Sequence, residues 1–140
     1  MKADYPIVMF DDDYDDIDLF QEALREVAPS TQFKPFVDFV STYQFLMDEK
    51  NPVPDLLFLD VHLGIATGLF YLRLIKKISR IANTKIIIYT TTLNPPVEKE
   101  AMELRAYGCF QKPNTYPELC NLLREILDEV SVEHSTQRIG

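Results

Sequence analysis

Pro54-Asp55-Leu56-Leu57-Phe58-Leu59-Asp60 is the stretch that decides how this chain is read. Its run from Asp55 to Leu59 is almost wholly apolar, too short for a buried helix, and followed by Gly64 and Gly68. That pattern predicts a strand buried on both faces of a parallel sheet. Open parallel sheets bind their ligands outside the carboxyl ends of the strands. Asp60 therefore stands where chemistry is expected, and a carboxylate there without a role would cost stability.

Working outward, the same alternation recurs on both sides. Pro6 to Phe10 reads as a first strand, closed by Asp11, Asp12 and Asp13. Ile17, Phe20, Leu24 and Val27 fall on one face of a helix that ends at Pro29-Ser30. Phe33 to Val37 is a second strand, placed at a sheet edge by Pro35, which cannot donate to a central ladder. Val40, Tyr43, Leu46 and Met47 mark a second helix, broken at Asn51-Pro52. Beyond Asp60, a third helix from about Thr67 to Arg80 turns Leu69, Leu72, Ile75 and Ile78 inward.

Lys85 to Tyr89 is a β-branched fourth strand, closed by Thr90, Thr91 and Thr92. Asn94-Pro95 supplies a cap and a first-turn proline for a fourth helix reaching about Ala106, whose apolar face (Val97, Ala101, Met102) is weak. Cys109 to Gln111 is a short fifth strand before Lys112-Pro113. Thr115 and Glu118 form a capping-box pattern for a last helix carrying Leu119, Leu122, Leu123, Ile126, Leu127 and Val130. The polar tail, residues 131–140, has no evident fold. Strict strand–helix alternation implies an α/β domain over residues 1–130, a doubly wound parallel sheet with helices on both faces. The strand order 2-1-3-4-5 fits, because it leaves the proline-bearing strand at an edge.

Composition narrows the function classes. With 140 residues the chain is one domain with a single real core. A net charge of -8 argues against nonspecific nucleic-acid binding, so no direct DNA binding is expected. No apolar run spans a membrane, and the first residues lack a signal-peptide pattern, so a cytoplasmic protein is expected. Two cysteines, Cys109 and Cys120, make no disulfide framework or metal spacing and are expected to be reduced and buried.

The strand ends carry the chemistry. If the order is right, Asp11 and Asp12, Asp60, Thr90 and Lys112 converge. Crowded carboxylates resist ionisation unless a cation compensates. A hard divalent ion such as Mg²⁺ suits them, and the lysine and threonine could hold the oxygens of a phosphoryl group. Taken singly, each feature has a plain reading: a helix N-terminus for the acidic run, β-propensity for Thr90, surface charge for Lys112. A calcium-loop spacing from Asp11 fails, since Asp16 stands where glycine is needed. The joint pattern carries the argument.

Ile7-Val8-Met9-Phe10-Asp11-Asp12, Asp60, Thr90 and Lys112-Pro113 together resemble the receiver domain of two-component response regulators, over roughly residues 5–130. The resemblance implies a flavodoxin-like (βα)5 fold in the 2-1-3-4-5 order. It implies that Asp60 accepts a phosphoryl group from a histidine kinase, a phosphotransfer protein or a small phosphodonor. Asp12 would ligate Mg²⁺ directly and Asp11 through water, with Asp60 and the backbone carbonyl of His62 completing the protein ligands. Thr90 and Lys112 would bind the phosphoryl oxygens, and Lys112-Pro113 would be cis. The chain would be a stand-alone receiver rather than an enzyme acting on other molecules, limited to its own phosphorylation and dephosphorylation. Its signal would leave through a downstream effector protein, by way of the fourth helix, fifth strand and fifth helix.

The chain departs from the family at three places, one being Thr91, where a small residue is preferred and the pocket is slightly narrowed. Gly64 stands where a proline is usual, and Cys109 where an aromatic residue usually rotates on activation, with Phe110 facing the other way. Movement of the Thr90–Asn94 loop and the fourth helix is expected instead of an aromatic flip. Two other readings stay open: a receiver-shaped binding module that takes no phosphate, and a haloacid-dehalogenase-like phosphatase with Asp11 as nucleophile. The second lacks the further acidic pair it would need after Thr90.

Overall fold

A computed structural model describes residues 6–61 and 65–139. The elements run β1 (Ile7–Phe10), α1 (Tyr14–Val27), β2 (Phe33–Phe36), α2 (Phe39–Met47), β3 (Leu56–Leu59), α3 (Ile65–Lys76), β4 (Lys85–Thr90), α4 (Pro95–Glu103), β5 (Gly108–Gln111) and α5 (Tyr116–Ile139). All strand pairs are parallel, in the order β2-β1-β3-β4-β5.

The uninterrupted apolar strands follow from burial on both faces. Ile7, Met9, Leu56, Phe58, Ile87 and Tyr89 turn to one side, where α1 and α5 cover them. Val8, Phe10, Leu57, Leu59, Ile86 and Ile88 turn to the other, under α2, α3 and α4. Phe20 of α1 sits at the centre of the first layer, against the rings of Phe33, Phe58 and Tyr89. Cys109 packs on the second layer and Phe110 on the first, the opposition expected of neighbours in a strand.

β2 is the edge expected from Pro35. The amides of Ile7 and Asp11 donate to the carbonyls of Gln32 (2.9 Å) and Phe36 (3.1 Å), so even-numbered residues face β1. Pro35 belongs to the odd-numbered set, and its missing N–H lies on the outer side, where β1 needs no donor.

Side-chain caps set the helix starts. Asp13 accepts from the amides of Asp15 and Asp16, Asp38 from Ser41, and Asn94 from Val97. Thr115 Oγ1 accepts from the amide of Glu118 at 3.3 Å, the forward half of the expected capping box.

Four expectations need correction. In α2, Val40 and Met47 are 64% and 49% exposed, while Thr42 and Leu46 are buried. Six of its nine residues are large and apolar, so periodicity alone cannot set which face turns inward. The third helix stops at Lys76 and gives way to a short 3-10 turn, Ser79–Ile81, which still buries Ile78 and Ile81.

α4 ends at Glu103, short of Ala106, and leaves Met102 exposed. The amides of Arg105 and Ala106 bond back to the carbonyls of Met102 (2.9 Å) and Ala101 (3.0 Å). This is a Schellman ending with Arg105, at φ 69°, in the left-handed position usually held by glycine. α5 continues to Ile139, through most of the tail that was expected to lack a fold. No proline or glycine lies between Glu118 and Ile139 to stop it.

Candidate functional site

The carboxyl edge of the sheet gathers the predicted residues. Phe10 and Leu59 are register partners, so Asp11 and Asp60 follow side by side, and the Asp60 amide donates to the Phe10 carbonyl at 3.1 Å. Lys112 enters from β5, its amide donating to the Thr90 carbonyl at 2.7 Å. Both strand ends are thereby fixed by backbone bonds before any side chain acts.

Lys112 is the hub of the site. Its Nζ lies 2.7 Å from Asp16 Oδ2, 2.8 Å from Asp11 Oδ2 and 3.1 Å from Asp60 Oδ2. An ammonium has three donors; Asp16 and Asp60 accept hydrogen bonds from it, while Asp11 Oδ2 meets it as an ion pair without hydrogen-bond geometry. The Nζ also lies 5.7 Å from the Tyr89 ring centroid, a favourable side for a cation. The Lys112 side chain is only 9% exposed. Burial opposes its charge, but the close contacts with Asp11 and Asp16 and the charges of Asp11 and Asp60 hold it above the ordinary lysine range.

Asp11 is fully buried, with Oδ1 accepting from the Asp13 amide at 3.0 Å. Burial pushes its carboxyl up to about 7, with the Asp60 charge adding to the rise and the Lys112 contact and the Asp13 amide bond only partly offsetting it. A group so placed favours a compensating cation. Asp12 is exposed at the rim. One carboxylate oxygen from each of Asp11, Asp12 and Asp60 falls within 4.8 Å of the others. An all-oxygen, carboxylate-rich set fits a hard divalent ion, so the residues present suit the metal that the sequence implied. His62 lies outside the described residues.

Thr90 is fully buried at the end of β4, and its Oγ1 has no hydrogen-bond partner among the described residues. An orphaned buried hydroxyl costs about 1–3 kcal/mol, which a ligand oxygen at the edge could recover. Lys112-Pro113 is trans, like every peptide bond among the described residues, against the cis form the resemblance implied. Trans is the ordinary preference even before proline.

Sequence reading missed Asp16. It was seen only as a flaw in a calcium-loop spacing, yet it makes the shortest contact to Lys112. A signal was present: Asp16, Phe20 and Leu24 are spaced by four, so Asp16 extends the buried stripe of α1 toward the strand ends.

The sequence matches the response regulator receiver domain over residues 7–124. It is 31% identical over 99 residues, 71% of this chain, to the response regulator protein GraR of Staphylococcus haemolyticus. That protein is longer, and the match spans 42% of its length. The fold is similar to that of the Mn²⁺-bound response regulator Rcp1 (23% identity, TM-score 0.75, covering 87% of this chain and 91% of that one). It is equally similar to the phosphorylated cyanobacterial phytochrome response regulator RcpA (23% identity, TM-score 0.77, covering 89% and 91%). Matched from β1 into α5, with its acidic cluster and lysine at the carboxyl edge of a 2-1-3-4-5 sheet, this chain belongs to the response regulator receiver domain family.

Proposed function

We propose that this receiver takes a phosphoryl group on Asp60 in a Mg²⁺-dependent reaction and passes the signal to a partner protein. One observation carries the reading: the buried Asp60 carboxylate contacts Lys112 and shares an oxygen cluster with Asp11 and Asp12. Asp11, Asp12, Asp60 and the carbonyl of His62 are the proposed metal ligands. The metal would neutralise charge on the incoming phosphate. Asp60 supplies the attacking oxygen, Lys112 offers its ammonium to the phosphoryl oxygens, and the orphaned Thr90 hydroxyl donates to another. Such catalysis is chiefly positioning and charge neutralisation.

The donor would be a histidine kinase, a phosphotransfer protein or a small phosphodonor. The chain's only reaction would be on itself, as a cytoplasmic receiver domain that does not itself bind DNA. Output would run through α4, β5 and α5, starting from the Thr90–Asn94 loop. Intact mass after acetyl phosphate and Mg²⁺ tests the site. Wild type should gain one phosphoryl group and Asp60→Asn none. An adduct mapped to Asp11, or none on wild type with the metal present, would overturn the reading.

A further inference from the structure

Three carboxylates hold Lys112, but they are not equivalent. Asp11 and Asp60 belong to the cluster able to hold a metal; Asp16 does not. Asp11 and Asp60 have side chains 0% and 2% exposed, whereas Asp16 is 32% exposed and stands in the first turn of α1. A divalent ion shared by Asp11, Asp12 and Asp60 would draw on the same buried charge that now faces the ammonium. It would also repel Lys112 directly. Only Asp16 keeps its whole charge for the lysine under those conditions. Its position is fixed from below, since Asp13 caps α1 and accepts from the Asp16 amide at 3.3 Å.

We propose that Asp16 is a positioning residue that keeps the Lys112 ammonium at the phosphorylation site once the metal has claimed Asp11 and Asp60. The inference rests on the metal and phosphoryl reading given above and adds to it a residue outside the metal cluster. An acidic residue in a first helical turn also favours the helix dipole, and that alternative has its own control. Asp15 shares the turn and the charge but is not among the carboxylates that contact Lys112.

Two readouts separate the outcomes. The first is acylation of the Lys112 ε-amino group by an N-hydroxysuccinimide ester, followed by peptide mass in chelator and in saturating Mg²⁺. With Mg²⁺, Asp16→Asn should be acylated at Lys112 about tenfold faster than wild type, the order expected for one lost charge-assisted bond. In chelator the difference should shrink, because Asp11 and Asp60 still hold the amine. Asp15→Asn should match wild type in both, and Asp16→Glu should recover part of the protection. The second readout is the rate of Asp60 phosphorylation by acetyl phosphate at saturating Mg²⁺, which should fall about tenfold in Asp16→Asn and remain unchanged in Asp15→Asn.

Equal Lys112 acylation in wild type and Asp16→Asn with Mg²⁺, or equal effects of Asp15→Asn and Asp16→Asn, would overturn the proposal. If wild type takes no phosphoryl group, the function reading fails. The acylation arm still decides what Asp16 does.

Discussion

α1 and α4 leave the same edge of the sheet, each started by a side-chain cap, yet they are held very differently. α1 buries Ile17, Phe20, Ala23 and Leu24, lies against α5, and is joined through Asp16 to a lysine on the far strand. α4 buries only Val97 and Ala101 and is joined to α3 by an exposed Arg73–Glu100 pair. An exposed pair of that kind contributes little. The site is therefore built with one fixed wall and one weakly held wall. On the proposed function, the first would hold the reacting groups and the second would report that they have reacted.

The largest expected effect tests the fixed wall. Phe20→Ala should cost about 3–5 kcal/mol in urea unfolding, because a central ring is lost among Phe33, Phe58 and Tyr89. Val97→Ala in α4 should cost about 1–2 kcal/mol. Equal losses would erase the contrast.

A middle-sized effect concerns the charge at the start of the fixed wall. The Asp11 carboxyl is raised from 3.8 to about 7 in the folded protein. The folded state thus holds more protons than the unfolded state between those values, and stability falls as pH rises through the window. In chelator, Asp11→Asn should be more stable than wild type by about 2 kcal/mol at pH 8. The advantage should shrink below pH 7 and vanish near pH 4. Thermal melts across pH would check it, and a constant or inverted difference would break the account.

The smallest effect tests how the weakly held wall ends. Arg105→Gly should stabilise the protein by about 0.5–1 kcal/mol, since glycine takes the left-handed conformation without the steric cost that arginine bears there. Burial and then the Arg105 charge hold Lys76 below its ordinary range, so losing Arg105 acts in the same direction. A loss of stability would mean that the Arg105 side chain does more for α4 than its backbone costs.

Much of this was legible in the residues, and the failures have physical causes. Strand runs and caps depend on local chemistry, so Asn94, Thr115 and the Pro35 edge read correctly. Asp60, Asp11, Asp12 and Lys112 were legible because a carboxylate or lysine directly after an apolar strand has few other places to go. The phase of α2 was not, since a helix apolar nearly all round gives no polar face to orient it; Val40 and Met47 were lost there. Asp16 was missed for a different reason. Its role depends on which strand lies across from the first turn of α1, and pairing across 96 residues has no local signature.

Pro35 has one more consequence, for how copies of this molecule meet when crowded. On the outer rim of β2 the odd-numbered residues turn away from β1, and of these only Phe33 carries an N–H. A neighbouring strand seeking to extend the sheet would find one donor where it needs an unbroken row, beside the exposed charge of Lys34. Templated aggregation is blocked along that rim, which leaves β5, at the other end of the strand order, as the sheet's remaining edge.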